Sequence, residues 1–377
     1  MSFETEILII GGGLAGLTAA IHLQKFGLNV TLVEKQAYPH HKICGEYISN
    51  EVLPYLKWLD IDIEKLSPAS ITNLQFSSNS GKIISTKLPL GGFGLSRFTM
   101  DYLFYQIARQ RGVNVFQDTV EDVIFSNDQF VVKTLSGQHF SAKQVIGAYG
   151  KRAPIDIKLE RKFILRRSPY LAVKAHYRSN FPDHLVSLNS FKGGYCGLSK
   201  VEQDKLNICY LADYESFKKH KNIKSYQEKI LYQNKYLKYV FENSEMIFDA
   251  PLTISQISFE PKEPVTYHIL MVGDTAGLIH PLCGNGMAMA IHSAKIVSEL
   301  LIKRFSGEIK SRTALEKNYT AKWKSLFSSR LRMGRMLAAI LKNDTVERFA
   351  MQTVNNMPFL LKQIIKHTHG QPLVIPN

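Results

Sequence analysis

The chain is poor in cysteine and tryptophan and has no long apolar run. Its 377 residues include four cysteines (Cys44, Cys196, Cys209 and Cys283), with no Cys-x-x-Cys pair and no zinc-ligand spacing. That excludes a disulfide-stapled secreted scaffold, and a reducing, cytoplasmic compartment is expected. No run of about eighteen apolar residues occurs, so no segment is expected to span a bilayer. The N-terminus lacks a basic n-region and glycines interrupt its apolar stretch, so neither signal peptide nor membrane anchor is expected. His40, His41, His176, His280 and His292 form no metal triad, and no repeats or low-complexity segments occur. With 45% hydrophobic and 21% charged residues, the chain has the balance of a globular core rather than a disordered one.

Acidic charge is also scarce, above all near the C-terminus. The net charge is +15, and from Lys295 onward fifteen Lys/Arg face five Asp/Glu, so +10 of it lies there. The same stretch carries Trp323, Phe327, Leu331, Leu337, Ile340 and Leu341 at helical spacing. Two readings follow: a solvated face over a packed apolar stripe, or a basic amphipathic surface in peripheral contact with an anionic membrane. Aromatic residues are not interleaved with the charges as in a nucleic-acid module, so no nucleic-acid partner is expected.

What is abundant is glycine at one place. Gly11-Gly12-Gly13-Leu14-Ala15-Gly16 directly follows the apolar run Ile7-Leu8-Ile9-Ile10, and Leu17 to Phe26 continues at helical spacing. The run reads as a buried parallel strand and the glycines as a strand-to-helix turn. Gly11 permits the tight turn, Gly13 lets the backbone approach a pyrophosphate, and Gly16 lets helix and strand pack closely. The helix start offers N–H groups and partial positive charge to that anion. Asn29 to Val33 reads as a second strand, closed by Glu34 eighteen positions after Gly16, where a carboxylate accepts hydrogen bonds from a ribose 2′-hydroxyl. A 2′-phosphate would be repelled there.

Along the chain, an excursion loop occupies Tyr38 to Ser49, and residues 71–76 and 82–86 read as a β-hairpin. Met100 to Arg111 has helical periodicity, with Thr99 or Asp101 near its start and Gly112 at its C-cap. Val113 to Phe116 reads as a third strand of the dinucleotide-binding unit. Two further strands are expected at 128–135 and 139–146. From about 160 to 262 the pattern turns antiparallel, with strands at 170–178, 185–191, 195–200 and 206–210 and one helical insert at 226–241. His268 to Val272 resumes the apolar strand pattern, a helix is expected from Gly286 through Ile302, and the rest is a helical tail.

The second decisive feature runs from Val272-Gly273-Asp274 through a glycine-rich loop to a helix start at Gly286-Met287. An aspartate at that strand end can accept hydrogen bonds from a ribitol chain, and the helix N-terminus can stabilise a reduced isoalloxazine. With the first glycine turn, this resembles the p-hydroxybenzoate hydroxylase-like flavoproteins. The excursion-loop motif Lys42-Ile43-Cys44-Gly45-Glu46 and the stretch Arg97-Phe98-Thr99-Met100-Asp101-Tyr102-Leu103 more closely resemble the geranylgeranyl reductase family. The resemblance covers most of residues 1–150 and 265–305.

That resemblance implies an α/β fold: a Rossmann-like FAD-binding domain (1–70, 97–158 and 265–305), an interposed antiparallel β-sheet substrate domain (71–96 and 159–264) and a C-terminal helical region (306–377). FAD is the implied cofactor. Its implied contacts are Gly11, Gly13, Ala15, Gly16, Glu34, Lys35, Cys44, Gly45, Arg97, Val120, Asp274, Gly286 and Met287. Cys44 is either a proton donor or steering group beside the flavin or a small packed thiol, and His280 is the histidine expected to face the flavin. The implied activity is that of an FAD-dependent oxidoreductase on a hydrophobic substrate (isoprenoid, polyketide or lipid-like). It would act by double-bond reduction or by monooxygenation through a flavin hydroperoxide, with NAD(P)H or a reduced carrier as electron donor. The alternative is a non-catalytic flavin- or lipid-binding protein on the same scaffold.

Two positions depart from the resembled patterns. Gly193 to Ser199 replaces the family's aromatic Tyr-x-Trp-x-Phe-Pro-like stretch with smaller groups, which implies a differently shaped or wider cavity. Ala148-Tyr149-Gly150-Lys151-Arg152 stands where related hydroxylases carry an Asp-Gly pair, with Lys151 and Arg152 either drawing a phosphate-bearing donor or solvated. A halogenase would bring a Trp-x-Trp-x-Ile-Pro stretch, and with only Trp58 and Trp323 none is present.

Overall fold

Strand and helix alternate over the first 35 residues, and that alternation dictates a parallel sheet. The computed structural model describes residues 2–79, 81–166, 168–357 and 359–375. β1 (Ser2–Ile10) leads into α1 (Leu14–Lys25) and returns as β2 (Val30–Glu34). The chain then leaves to form β3 (Tyr47–Ser49), α2 (Leu53–Trp58), β4 (Ala69–Ser77) and β5 (Ile83–Gly94), and re-enters through α3 (Arg97–Gln110). β6 (Asn114–Gln117), β7 (Val120–Ser126), β8 (Gln129–Thr134), β9 (His139–Gly147) and α4 (Ile155–Lys158) follow. Next come β10 (Tyr170–Ser179), β11 (Leu185–Phe191), β12 (Gly194–Lys200) and β13 (Lys205–Asp213). Three short helices, α5 (Tyr214–Lys218), α6 (Ile223–Lys229) and α7 (Lys235–Glu242), precede β14 (Ser244–Met246), β15 (Leu252–Ser255), β16 (Val265–Thr266) and β17 (Ile269–Met271). The chain ends in α8 (Gly286–Phe305), α9 (Arg312–Leu341), α10 (Asp344–Asn356) and α11 (Phe359–Thr368).

Two sheets result. In the first the order is β16-β17-β9-β1-β2-β6, with β8 pairing β9 and β7 pairing β8. β1 sits centrally between β2 and β9, parallel to both, with Ile10 opposite Val33 and Gly147. Ile7, Leu8 and Ile9 are wholly buried, as a strand covered on both faces requires. The carboxyl ends of β1, β2, β9 and β17 therefore deliver Gly11, Glu34, Ala148 and Gly273 to one edge of the sheet, where open α/β sheets bind ligands. In the second sheet the order is β14-β10-β13-β12-β11-β4-β5-β3, with β15 also on β10. Both members of the hairpin, and β3 ahead of it, belong to this sheet.

Several local expectations need correction. The insert expected as one helix at 226–241 is two, α6 and α7, because Asn234 breaks it. Its Oδ1 accepts from the N–H of Tyr236 (3.0 Å) and Leu237 (3.2 Å), while its Nδ2 donates to Ser77 Oγ and Ser190 O (both 2.9 Å). α3 begins at Arg97, capped by Ser96 rather than Thr99 or Asp101. β7 was not foreseen, and the second sheet is not wholly antiparallel, since β11 runs parallel to β4. No helix among the described residues is long and apolar enough to cross a membrane.

The C-terminal stripe divides. On α9, Leu315, Tyr319, Trp323, Phe327 and Leu331 are buried in the same core as the first sheet, so Trp323 to Leu331 is closed to a bilayer. Tyr319 donates its hydroxyl to Met271 O, and Trp323 lies over Gly277, where a Cβ would stand 2.9 Å from the indole. Trp323→Ala should cost about 3–5 kcal/mol by leaving a cavity in that core. Urea unfolding checks this, since a freely solvated tail would give an unchanged midpoint.

Candidate functional site

The first glycine turn is shaped for a diphosphate. Gly11 has φ +103°, and a Cβ on Gly16 would lie 2.0 Å from Gly11 O, so strand and helix meet at a distance only glycine allows. Glu34 at the end of β2 accepts from the N–H of Gly12 (2.6 Å) and of Gln36 (3.1 Å), which holds its carboxylate at the turn. Tyr38 donates its hydroxyl to Gly12 O and stacks on Tyr105 at 4.4 Å.

Two cations converge on the same turn. A Cβ on Gly13 would stand 3.5 Å from Arg97 Nη2 and 3.6 Å from Lys42 Nζ. Arg97 is held bidentately by the buried Asp101 (both contacts 2.7 Å), and Lys42 Nζ lies 3.1 Å from the same carboxylate. Burial alone would raise the Asp101 pKa. The two cations more than offset it and keep the carboxyl below its usual range. One buried anion between two cations leaves a net positive cradle beside Gly13, the charge that a pyrophosphate needs.

The excursion loop is fixed by its carbonyls. Lys174 Nζ donates to Lys42 O (3.0 Å), Lys151 Nζ to Ile43 O (3.1 Å), Asn207 Nδ2 to Cys44 O (3.2 Å) and Ser199 Oγ to Gly45 O (3.1 Å). Three of these four donors come from the second sheet. Lys151 is therefore used in the clamp rather than solvated.

At the end of the loop, Glu46 is wholly buried with φ +55°. Its carboxylate accepts from Lys174 Nζ, from His176 Nε2 (2.7 Å) and from the N–H of Arg97 (2.7 Å). Burial pushes the Glu46 pKa up, but the Lys174 charge and the His176 contact outweigh it and hold the carboxyl below its usual range.

The second turn faces the first. Gly273, at φ +58°, brings the strand end against α1, where its Cβ would lie 3.0 Å from Ala15 Cβ. Lys262 Nζ donates to Asp274 O and Lys151 O (both 2.8 Å) while lying 4.2 Å over the Phe163 ring. Between the turns opens a cavity of about 370 Å³. Its lining includes Gly13, Ala15, Cys44, Gly45, Arg97, Asp274, Gly286 and Met287. From there it extends over Leu74, Phe76, Leu188 and Leu198 of the second sheet to Met351 and Ile365 under the C-terminal helices.

The structure thus places together most of the residues expected to hold FAD. Gly11, Gly16 and Glu34 build the turn itself. Lys35 is exposed just beyond β2, and Val120 lies near the same strand end, since the Asp118 N–H donates to Glu34 O (3.0 Å); neither lines the cavity.

His280 departs from expectation. Its ring does not line the cavity but packs against Phe259 (4.5 Å between centroids), Tyr195 and Tyr170, with burial and then Lys342 lowering its pKa to about 3. Burial there disfavours the charged imidazole. Sequence reasoning missed Lys42 as a second cation at Gly13, and missed Glu46, Lys174, His176 and Asn207. Glu46 adjoined a recognised motif, but its partners are about 130 residues away in sequence. Among the described residues no group of His, Cys, Asp or Glu could hold a metal ion.

Three outcomes follow from this geometry. Glu34→Arg and Asp274→Ala should each lower FAD affinity, read by fluorescence titration of the apoprotein; unchanged binding in either removes that residue from the site. Lys174→Met leaves Glu46 buried without its lysine counter-charge and should cost about 3–5 kcal/mol, partly recovered by adding Glu46→Gln. Because the folded Glu46 pKa is depressed, its contribution is present above the ordinary carboxylate range and lost as pH falls through the folded value. Denaturation midpoints between neutral and acid pH should therefore fall less steeply in the double variant.

Comparisons with known proteins agree with this geometry. Residues 6–42 match the FAD dependent oxidoreductase family. The chain is 25% identical to the digeranylgeranylglycerophospholipid reductase of Methanosarcina acetivorans, over 85% of this chain and 80% of that one. It is 22% identical to conditioned medium factor receptor 1 of Dictyostelium discoideum, over 90% and 72%. Among solved structures, a flavoprotein/dehydrogenase from Cytophaga hutchinsonii superposes with a TM-score of 0.78 at 17% identity, covering 91% of this chain and 87% of that one. The flavin-dependent brominase Bmp2 gives 0.77 at 17% identity, covering 97% and 93%. At such identities the superpositions speak to the fold alone. Turn, cation cradle, second turn and relatives converge on FAD as the cofactor: the chain has the fold of these flavin-dependent proteins and is similar in sequence to digeranylgeranylglycerophospholipid reductases.

Proposed function

We propose that the chain reduces carbon–carbon double bonds in a long apolar substrate of isoprenoid or lipid type. The observation that carries this reading is the cavity itself, which runs unbroken from the two glycine turns to the C-terminal helices over mostly aliphatic walls. The two glycine turns and the Arg97–Lys42 cradle would hold FAD, which, once reduced by an electron donor, would supply the hydride. The protein's own part is to bind, orient and dry the site. Leu74, Phe76, Leu188 and Leu198 form a wall with nothing to hydrogen-bond, so the substrate is held by shape and apolar burial. At Gly197 the wall carries no side chain, and a Cβ there would meet only Cys209 O (3.6 Å) and Leu188 (3.8 Å). That position accommodates a bulkier segment of substrate than an aromatic side chain would permit.

Saturating a double bond requires a proton as well as a hydride. Cys44 is half-buried on the cavity wall, on a loop whose carbonyls are all turned away and bonded. Cys209 and Cys283 also line the cavity, but burial pushes both thiols up to about 12. In this reading Cys44 delivers the proton. A second reading, oxygen insertion, has the resemblance to the hydroxylase-like flavoproteins in its favour.

The holoprotein, reduced anaerobically with dithionite and mixed with a polyprenyl lipid, distinguishes them. Flavin reoxidation without oxygen, with two hydrogens gained per double bond, is the expected result. Reoxidation only in air with an oxygen atom gained in the product carries the second reading, and inertness under both conditions leaves a binding protein. Cys44→Ser should slow turnover about 10²-fold or more with FAD affinity unchanged. A Cys44→Ser enzyme of normal rate would make the thiol a packing group.

A further inference from the structure

Exposed large apolar side chains are concentrated in one stretch of the chain. Of the 21 among the described residues, seven lie within 336–375, about a tenth of the chain. α10 and α11 are apolar on two faces. Their inner residues, including Met351, Val354, Leu361 and Ile365, line the cavity. Their outer residues Val346 (44% exposed), Phe349 (74%) and Phe359 (54%), with Met357 between the helices, face away. A helix on a globular surface needs one apolar stripe, not two.

Charge surrounds the outer face. Arg332, Arg335, Lys342, Lys362 and Lys366 are exposed, and between 330 and 375 the sequence has seven cations against two anions, of which Glu347 is buried. A second cavity, of about 320 Å³, shares Leu88, Ile365 and His369 with the first and reaches Lys362 and Lys366. The two cavities thus share a wall beneath the cationic surface.

We infer that the α10–α11 cap docks on an anionic lipid bilayer, with Phe349 and Phe359 at the headgroup–acyl boundary and the surrounding cations over acidic headgroups. An apolar face alone would fit many partners. The cationic rim selects an anionic one, and the adjoining cavity selects one that holds apolar chains. The docked cap gives the cavity direct access to bilayer lipid, so the substrate need not cross water. That last step rests on the proposed function; the docking does not.

The holoprotein is sedimented with vesicles of phosphatidylcholine alone or mixed with phosphatidylglycerol. Binding should require the anionic lipid and weaken as salt rises. Lys362→Gln and Lys366→Gln should each lower the partition coefficient about fivefold, and Phe349→Asp with Phe359→Asp about tenfold or more, while FAD content and circular dichroism stay unchanged. Equal binding to both vesicle types, no binding to either, or self-association in sedimentation velocity that the Phe349→Asp variant abolishes overturns the inference; the last assigns the face to a second copy of the chain. Vesicle binding with no turnover of polyprenyl lipid sustains the docking and sinks the reductase reading. Turnover without vesicle binding does the reverse.

Discussion

The buried contact of Glu46 with Lys174 and His176 is the constraint on which the site depends. It joins a loop that leaves the first sheet to β10, near one end of the second, with both charged partners removed from water. Such a pair adds little net stability over an apolar substitute, but breaking it is costly, so it acts as a specificity device. Around it the carbonyls of residues 42–45 are bonded one after another. The cofactor-facing wall is therefore assembled only when the two sheets are docked. Neither the first sheet nor the second carries a complete site alone.

The electrostatics follow from that assembly. Arg97 belongs to two networks: its guanidinium is held by Asp101 beside Gly13, and its backbone N–H binds Glu46. The cation cradle beside Gly13 and the clamp on the loop thus share a residue at the N-terminus of α3. Ser96, which caps that helix, is itself bonded by the buried Glu202 from the turn between β12 and β13 (N–H to Oε2, 2.8 Å). Position is transmitted along a chain of short polar contacts rather than through packing alone.

Local pattern made the first half of this architecture legible. Strand, glycine turn, helix, strand and acid lie within 34 residues, and each has a period or a turn chemistry of its own. The second turn at Gly273 to Met287 was legible for the same reason. What escaped depends on distant partners. Lys174 alternates with apolar neighbours on a strand and reads as a surface lysine until Glu46 is brought against it. The insert at 226–241 keeps helical periodicity through Asn234, and only the three contacts of that amide with β4 and β11 turn it into a break. His280 was placed correctly on its loop, yet its side chain turns toward Phe259, a choice made by packing and invisible in spacing. The stripe on α9 was readable as amphipathic; which part covers the core and which part roofs the cavity was not.

Beyond α9 the chain closes back on Glu51. Arg330 reaches that carboxylate from α9, Gly370 donates to it from beyond α11, and the Leu373 N–H binds Glu51 O at 2.8 Å. α10 and α11 are thus the span of an arch with both feet set on one residue, just beyond β3. An arch cannot swing aside like a flap. Anything bulky passing beneath it would need a change within the span, since both of its anchors are tied to the same residue.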